Sequence, residues 1–167
     1  MAELISKKLL SLAFLLMVSL SLGAQKPAET VPAFQFYKFD GTKFTDKNLA
    51  AKQLLFFCFF DITCEHCRHA ITTINKEHAK FKGTSLYLIS LDNKEGVQAF
   101  LKKYGPVLPG KKNVMLLHDT QNEFIYKFKP KKYPSMFLYS QNRKLMLYDD
   151  DEKNVNKFLE KIQTSAH

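Results

Sequence analysis

Cysteine is scarce in this chain and tryptophan is missing: its 167 residues include three of the first and none of the second. The three, Cys58, Cys64 and Cys67, narrow the sulfur chemistry that is open. Structural zinc takes four ligands. With no second cysteine pair, such a site would have to draw on His66, His69 and His78. Haem attachment needs a histidine directly after the motif's second cysteine, where Arg68 stands. No metal and no cofactor are assigned on these grounds. Internal repeats and domain boundaries are also missing, and the length is that of one domain. Acidic residues are the minority charge, 16 Asp and Glu against 25 Lys and Arg, for a formal charge of +9. The lysines are scattered and no nucleic-acid motif accompanies them, so nucleic acid is not an expected partner. The densest group, Lys127 to Lys132, is interrupted by Phe128 and Pro130 and reads as a solvated loop. A basic surface of this kind favours acidic partner proteins.

An apolar content of 46% supplies a real core and excludes a disordered chain. Lys7 and Lys8 precede an apolar run, Leu9 to Leu22, broken only by serines. Small residues follow at Ser21, Gly23 and Ala24, and then the polar Gln25-Lys26-Pro27. A positive start, a short apolar middle and a small-residue exit describe a secretory signal peptide. The alternative is an uncleaved membrane anchor, because the run is near the lower length limit for a span. No cysteine lies near the exit, which argues against a lipid anchor. The expectation is a signal peptide over residues 1–24 and an exported domain over 25–167. In an exported protein the odd cysteine count leaves at least one thiol unpaired. The spacing makes Cys64 and Cys67 the pair and leaves Cys58 alone.

Along the domain, Phe34, Phe36 and, after the Asp40-Gly41 turn, Phe44 fit a short β-hairpin. Leu54 to Phe60 is apolar on both faces, as a central strand covered on each side requires. Glu65 to Phe81 has helical spacing, with Cys67, Ala70, Ile71, Ile74 and Phe81 on one face. Ser85 to Leu91 reads as a strand and Lys94 to Tyr104 as an amphipathic helix stopped by Gly105 and Pro106. Asn113 to His118 is a further strand, and Glu123 to Phe128 a short helix. Met136 to Tyr139 and Lys144 to Tyr148 form a closing hairpin, and Val155, Phe158, Leu159 and Ile162 mark a last helix. The acidic run Asp149 to Glu152 is expected to cap that helix. The alternation implies an α/β fold: a mixed central sheet flanked by helices, parallel inside with an antiparallel edge.

The chemistry centres on Cys64-Glu65-His66-Cys67, placed between a buried strand and a helix. Unpaired N–H groups and the dipole at a helix N-terminus stabilise a thiolate, the nucleophile of disulfide exchange. Cys67, one turn on and core-facing, is better shielded. Cys64 is therefore expected to attack a partner disulfide and Cys67 to resolve the mixed disulfide. A stabilising role is a poor alternative, because so short a cross-link constrains the unfolded chain little. An imidazolium at His66 beside a Cys64 thiolate would favour the reduced form, while Glu65 opposes it by like charge.

The chain resembles the thioredoxin-like TlpA/ResA family of exported bacterial thiol-disulfide oxidoreductases. Carrying the resemblance are Leu54-Leu55-Phe56-Phe57, Cys64-Glu65-His66-Cys67, Leu88 to Asp92, Val97 to Gly105 and Tyr133-Pro134-Ser135-Met136-Phe137-Leu138. It implies a thioredoxin-like fold with an N-terminal β-hairpin and an inserted helix and strand between the two thioredoxin halves. It also implies a periplasmic location, protein thiols and disulfides as partners, and a membrane electron donor. Membrane attachment of the chain itself would come only from an uncleaved signal. In the family the proline matching Pro134 is cis and faces the cysteines. The Tyr133 backbone would then pair with an extended substrate lying over Cys64. The chain departs from relatives in three places. Thr63 replaces the usual tryptophan before the first cysteine, and Ala70 stands where many members carry glutamate. Cys58 fills the slot of the buried aspartate of thioredoxins proper.

Two rival functions share these residues. A thiol peroxidase is disfavoured, because Asp61 stands three residues before the reactive cysteine, where peroxiredoxins carry threonine. A non-catalytic binding module or copper chaperone would use the two cysteines as ligands.

Overall fold

The computed structural model describes residues 26–165. The expected signal segment, residues 1–24, lies outside the described residues. Seven strands form one sheet: β1 (Gln35–Tyr37), β2 (Lys43–Thr45), β3 (Leu54–Phe59), β4 (Thr84–Ser90), β5 (Val114–His118), β6 (Ser135–Tyr139) and β7 (Leu145–Asp149). Among the described residues four α-helices accompany them: α1 (Glu65–Lys76), α2 (Lys94–Tyr104), α3 (Glu123–Phe128) and α4 (Val155–Thr164). The strand order is β2-β1-β5-β4-β3-β6-β7. β3, β4 and β5 run parallel, whereas β6 lies antiparallel to β3 and β7 antiparallel to β6. The N-terminal hairpin, with Phe36 opposite Phe44, joins the far edge through Tyr37 and His118.

Period-two alternation along β3 explains the two cores. Leu54, Phe56 and Cys58 point to one face of the sheet, where α1, α2 and α4 pack. Leu55, Phe57 and Phe59 point to the other, against α3 and the N-terminal phenylalanines. All six are buried, as a strand covered on both faces demands. The second core is strongly aromatic: Phe124 and Phe128 stack with centroids 4.2 Å apart, and Phe137 meets both edge-on.

Two expectations need correction. The helix after the cysteines ends at Lys76, and a 3₁₀ turn, His78–Lys80, carries the chain to Phe81. Phe81 is buried as the helical spacing required, but a turn delivers it, because the chain must reverse into β4. The acidic run divides its work. Asp151 accepts from the Lys153 N–H, and Asp149 accepts from the Asp151 N–H and the Asn154 amide, which organises the start of α4. Asp150 and Glu152 instead reach Tyr148 and His66.

Candidate active site

The C-terminal end of β3 delivers the chain to the site through Phe60 and Asp61. Cys64 caps α1 from extended backbone (φ −73°, ψ 120°), so that its sulfur turns back over the first turn and accepts the Cys67 N–H at 3.4 Å. This is the N-cap geometry in which a side-chain acceptor satisfies an otherwise orphaned donor. The Cys64 thiol is partly exposed and faces the Tyr133 carbonyl, 3.9 Å away. Cys67 lies beneath it and is fully buried. Burial pushes the Cys67 thiol strongly upward, only partly offset by the Asp61 N–H, which donates to its sulfur at 3.5 Å. All three cysteines are free thiols.

The Tyr133–Pro134 peptide bond is cis, and Pro134 is buried at the start of β6, which pairs antiparallel with β3. That pairing sets Ser135 opposite Phe59 and brings Tyr133 to the cysteines. The Tyr133 ring packs 4.8 Å from that of Phe59. Burial, followed by the Asp61 and Asp92 carboxylates, pushes its phenol up to about 12, so it stays neutral across ordinary pH.

Cys58 sits on β3 in the same core cluster as Cys67. Complete burial pushes its thiol up to about 12. Glu65 is exposed on the first turn of α1. His66 is mostly exposed, and its Nδ1 lies 3.1 Å from the Glu152 carboxylate. The structure therefore ties His66 to the turn before α4. Burial raises the Glu152 carboxyl, but its own backbone N–H and the His66 ring outweigh this and hold it below the usual glutamate value. Among the described residues, no three His, Cys, Asp or Glu side chains gather as metal ligands.

The AhpC/TSA family model matches residues 27–148. The chain belongs to the AhpC/TSA family. Among curated proteins no sequence matches it. Among solved structures it is similar to the C-terminal domain of a putative thiol-disulfide oxidoreductase from Bacteroides thetaiotaomicron, at 19% identity and a TM-score of 0.65, covering 86% of this chain and 100% of the other. It is similar to the peroxidoxin BcpB from Mycobacterium tuberculosis at 15% identity and a TM-score of 0.67, over 86% and 99% of the two chains. A copper-bound ScoI from Arabidopsis thaliana superposes with a TM-score of 0.60 at 16% identity, over 82% and 99%. At these identities the likenesses establish the thioredoxin-like fold, and the family assigns redox chemistry in general terms.

Within this AhpC/TSA member, several residues shape the site in ways not assigned to them from the sequence. The Asp92 carboxylate accepts from the Ile62 N–H at 3.1 Å and from the Ser90 hydroxyl at 2.7 Å, which anchors the loop before Cys64 to the end of β4. Asp61 holds the same loop from inside, one oxygen taking both the N–H and the hydroxyl of Thr63. Arg68 reaches the Thr63 carbonyl at 3.4 Å and lies 5.8 Å over the Tyr104 ring. Asp119, buried at the end of β5, accepts from the N–H groups of Gln121, Glu123 and Phe124 and so starts α3. An aspartate shortly before a helix is a recognisable capping signal. The Asp92–Ile62 and His66–Glu152 pairs, 30 and 86 residues apart, have no local signature.

Proposed function

We propose that this protein is a thiol–disulfide oxidoreductase of the TlpA/ResA type, reducing or exchanging disulfides in exported proteins. One observation carries the proposal: an accessible Cys64 thiol at a helix N-terminus, facing the Tyr133 carbonyl, with a shielded Cys67 thiol one turn behind. The Cys64 thiolate attacks one sulfur of the target disulfide; that S–S bond breaks and the released thiolate takes up a proton. Cys67 then loses its proton and attacks Cys64, forming the Cys64–Cys67 disulfide and freeing the second substrate thiol. Two electrons and two protons pass to the substrate. A dithiol donor, a membrane protein in the exported setting that the N-terminal segment supports, returns the site to the reduced state. Run in reverse, the same steps oxidise a substrate dithiol. Tyr133 and Pro134 present backbone to the incoming chain, and Glu65 and His66 form the exposed rim of the motif.

Trapping tests this directly. Cys67→Ala is expected to accumulate mixed disulfides on Cys64 with exported proteins, and Cys64→Ala to lose insulin-disulfide reduction. A Cys67→Ala trap that captures no protein disulfide counts against the proposal.

The family assignment and the likeness to a peroxidoxin favour a second reading, a thiol peroxidase. Against it stands Asp61, three residues before the reactive cysteine where peroxiredoxins carry threonine, its carboxylate engaged with Thr63. Peroxide consumption by the reduced protein separates the two, and thiol-dependent turnover of hydrogen peroxide would favour the second. A copper-binding role, suggested by the ScoI likeness, rests on Cys64 and Cys67 alone and is tested by Cu(I) titration of the reduced protein.

A further inference from the structure

Next to the cysteines, on the α3 side of the sheet, lies a cavity of about 160 Å³ lined by Phe59, Ile125, Pro130, Lys131, Lys132 and Tyr133. Its floor is apolar and its rim is cationic. Tyr133 belongs to both places: its carbonyl faces Cys64 at 3.9 Å and its ring lines the cavity. An extended chain lying along the Tyr133 backbone advances about 3.3 Å per residue. A side chain two positions from the reacting half-cystine is thus carried about 7 Å along that backbone, within reach of the cavity that Tyr133 also lines. The volume suits one side chain of leucine or phenylalanine size.

The rim sets the second requirement. Four lysines fall between residues 127 and 132. Lys127 is paired with Glu123 at 2.9 Å and Lys132 with Asp150 at 3.7 Å. Lys129 and Lys131 have no carboxylate partner among the described residues, and Lys131 lies 5.8 Å over the Tyr148 ring. Asp61, Asp92 and Asp119 act on the Tyr133 phenol, so the positive excess belongs to the lysine rim alone, where Lys129, Lys131 and Lys132 meet the single carboxylate of Asp150.

We propose that this groove docks the substrate segment flanking the target disulfide and selects an aliphatic or aromatic side chain bordered by carboxylates. The proposal rests on thiol–disulfide exchange at Cys64 and names the substrate class for it. Single-turnover oxidation of the pre-reduced protein tests it without a recycling donor: the Cys64–Cys67 dithiol becomes a disulfide as the peptide disulfide becomes two thiols. Two disulfide peptides are compared, one with leucine and aspartates beside the cysteine, the other with serine and lysines. Neutral bis(2-hydroxyethyl) disulfide serves as the reference. The acidic, leucine-bearing peptide is expected to react about tenfold faster than the basic one at low salt, with the ratio shrinking toward one at high salt. Lys131→Ser with Lys132→Ser is expected to bring the two peptides to similar rates. Equal rates for the two peptides in the unaltered protein, with the neutral disulfide still reduced, overturn the substrate preference alone. No reduction of the neutral disulfide or of either peptide overturns the oxidoreductase assignment and the preference together.

Discussion

Removal of the Asp92 carboxylate is the sharpest test of how the fold holds the candidate site. One oxygen of Asp92 accepts both the Ile62 N–H at 3.1 Å and the Ser90 hydroxyl at 2.7 Å, and the Ser90 hydroxyl oxygen accepts the Asp92 N–H at 3.1 Å. Hydrogen bonds to a charged partner contribute about 1.5–3 kcal/mol each. Two of them give about 3–6 kcal/mol, and the partly buried position of Asp92, where water replaces part of the loss, brings Asp92→Ala to about 3 kcal/mol. Asp92→Asn keeps a neutral acceptor and is expected to cost about 1 kcal/mol. Ser90 is 1% exposed, so Ser90→Ala removes a buried donor together with its partner's bond, for about 1.5 kcal/mol. Because the Ser90–Asp92 bond is shared, the double variant should fall short of the sum by about 1 kcal/mol or more.

Urea unfolding reads each term; with slopes of about 1–3 kcal/mol per molar, Asp92→Ala lowers the midpoint by about 1–3 M. Amide exchange at Ile62 gives the local reading, and a loss of about 3 kcal/mol corresponds to about 100-fold faster exchange when the loop opens alone. An Asp92→Ala variant within 1 kcal/mol of the parent, or a cycle with no coupling, refutes the claim that this carboxylate anchors the motif loop.

Three further outcomes are expected. At pH 7 the reduced native protein should take one carbamidomethyl group, on Cys64, because Cys58 and Cys67 are buried and their thiols are pushed upward. Mass spectrometry checks this, and comparable labelling of either buried cysteine contradicts the geometry. Raised folded-state thiols release protons more readily in the unfolded chain, so stability is whole below about pH 8.5 and falls as pH rises toward 12, by up to about 1.4 kcal/mol per pH unit per thiol. Urea midpoints between pH 8.5 and 10 measure the slope, and Cys58→Ala should remove one thiol's share; an unchanged slope refutes the linkage. Gly105→Ala should destabilise by about 1–3 kcal/mol, since its Cβ would meet Ile71 Cγ2 at 2.9 Å and the side chains of Leu101 and Leu108 at 3.1 Å. A neutral effect in thermal unfolding would mean that this corner between α1 and α2 repacks freely.

Much of this architecture is legible in the sequence because its elements announce themselves locally. The apolar run at Leu54 to Phe60 needs cover on both faces, and the two aromatic and aliphatic cores supply it. Lys94 to Tyr104 and Glu123 to Phe128 fold as helices over the residues their spacing gives. The cysteine motif falls at a helix start because a strand ends and an amphipathic pattern begins within a few residues. Local patterns fail where the chain must turn or where a partner is distant. Phe81 keeps the helical spacing while the backbone has already left the helix. His66 reads locally as a neighbour of Cys64, yet Glu152, brought over by the packing of α4, engages its ring. Asp92 reads as the residue that closes a strand, and only the fold reveals that it grips Ile62.

The fold also constrains where the Cys67 proton goes under the proposed chemistry. The Asp61 N–H beside the Cys67 sulfur is a donor; it steadies a thiolate once formed but accepts nothing. Cys58, standing in the thioredoxin aspartate slot, holds its own proton to about pH 12 and offers no base. The Tyr133 phenol is neutral over the same range and likewise cannot accept. The Asp61 carboxylate is turned toward Thr63, and Glu65 is out in solvent. The base that the reaction itself brings to the site is the thiolate expelled from the substrate in the first step, with an ordinary affinity near 8.5. Because burial pushes the Cys67 thiol strongly upward, transfer to that thiolate is uphill, and formation of the second S–S bond, which consumes the Cys67 thiolate, draws it forward without a buried acid. That route works best when the expelled sulfur stays tethered near the site, as it does when both sulfurs of the broken disulfide belong to one substrate chain held along Tyr133.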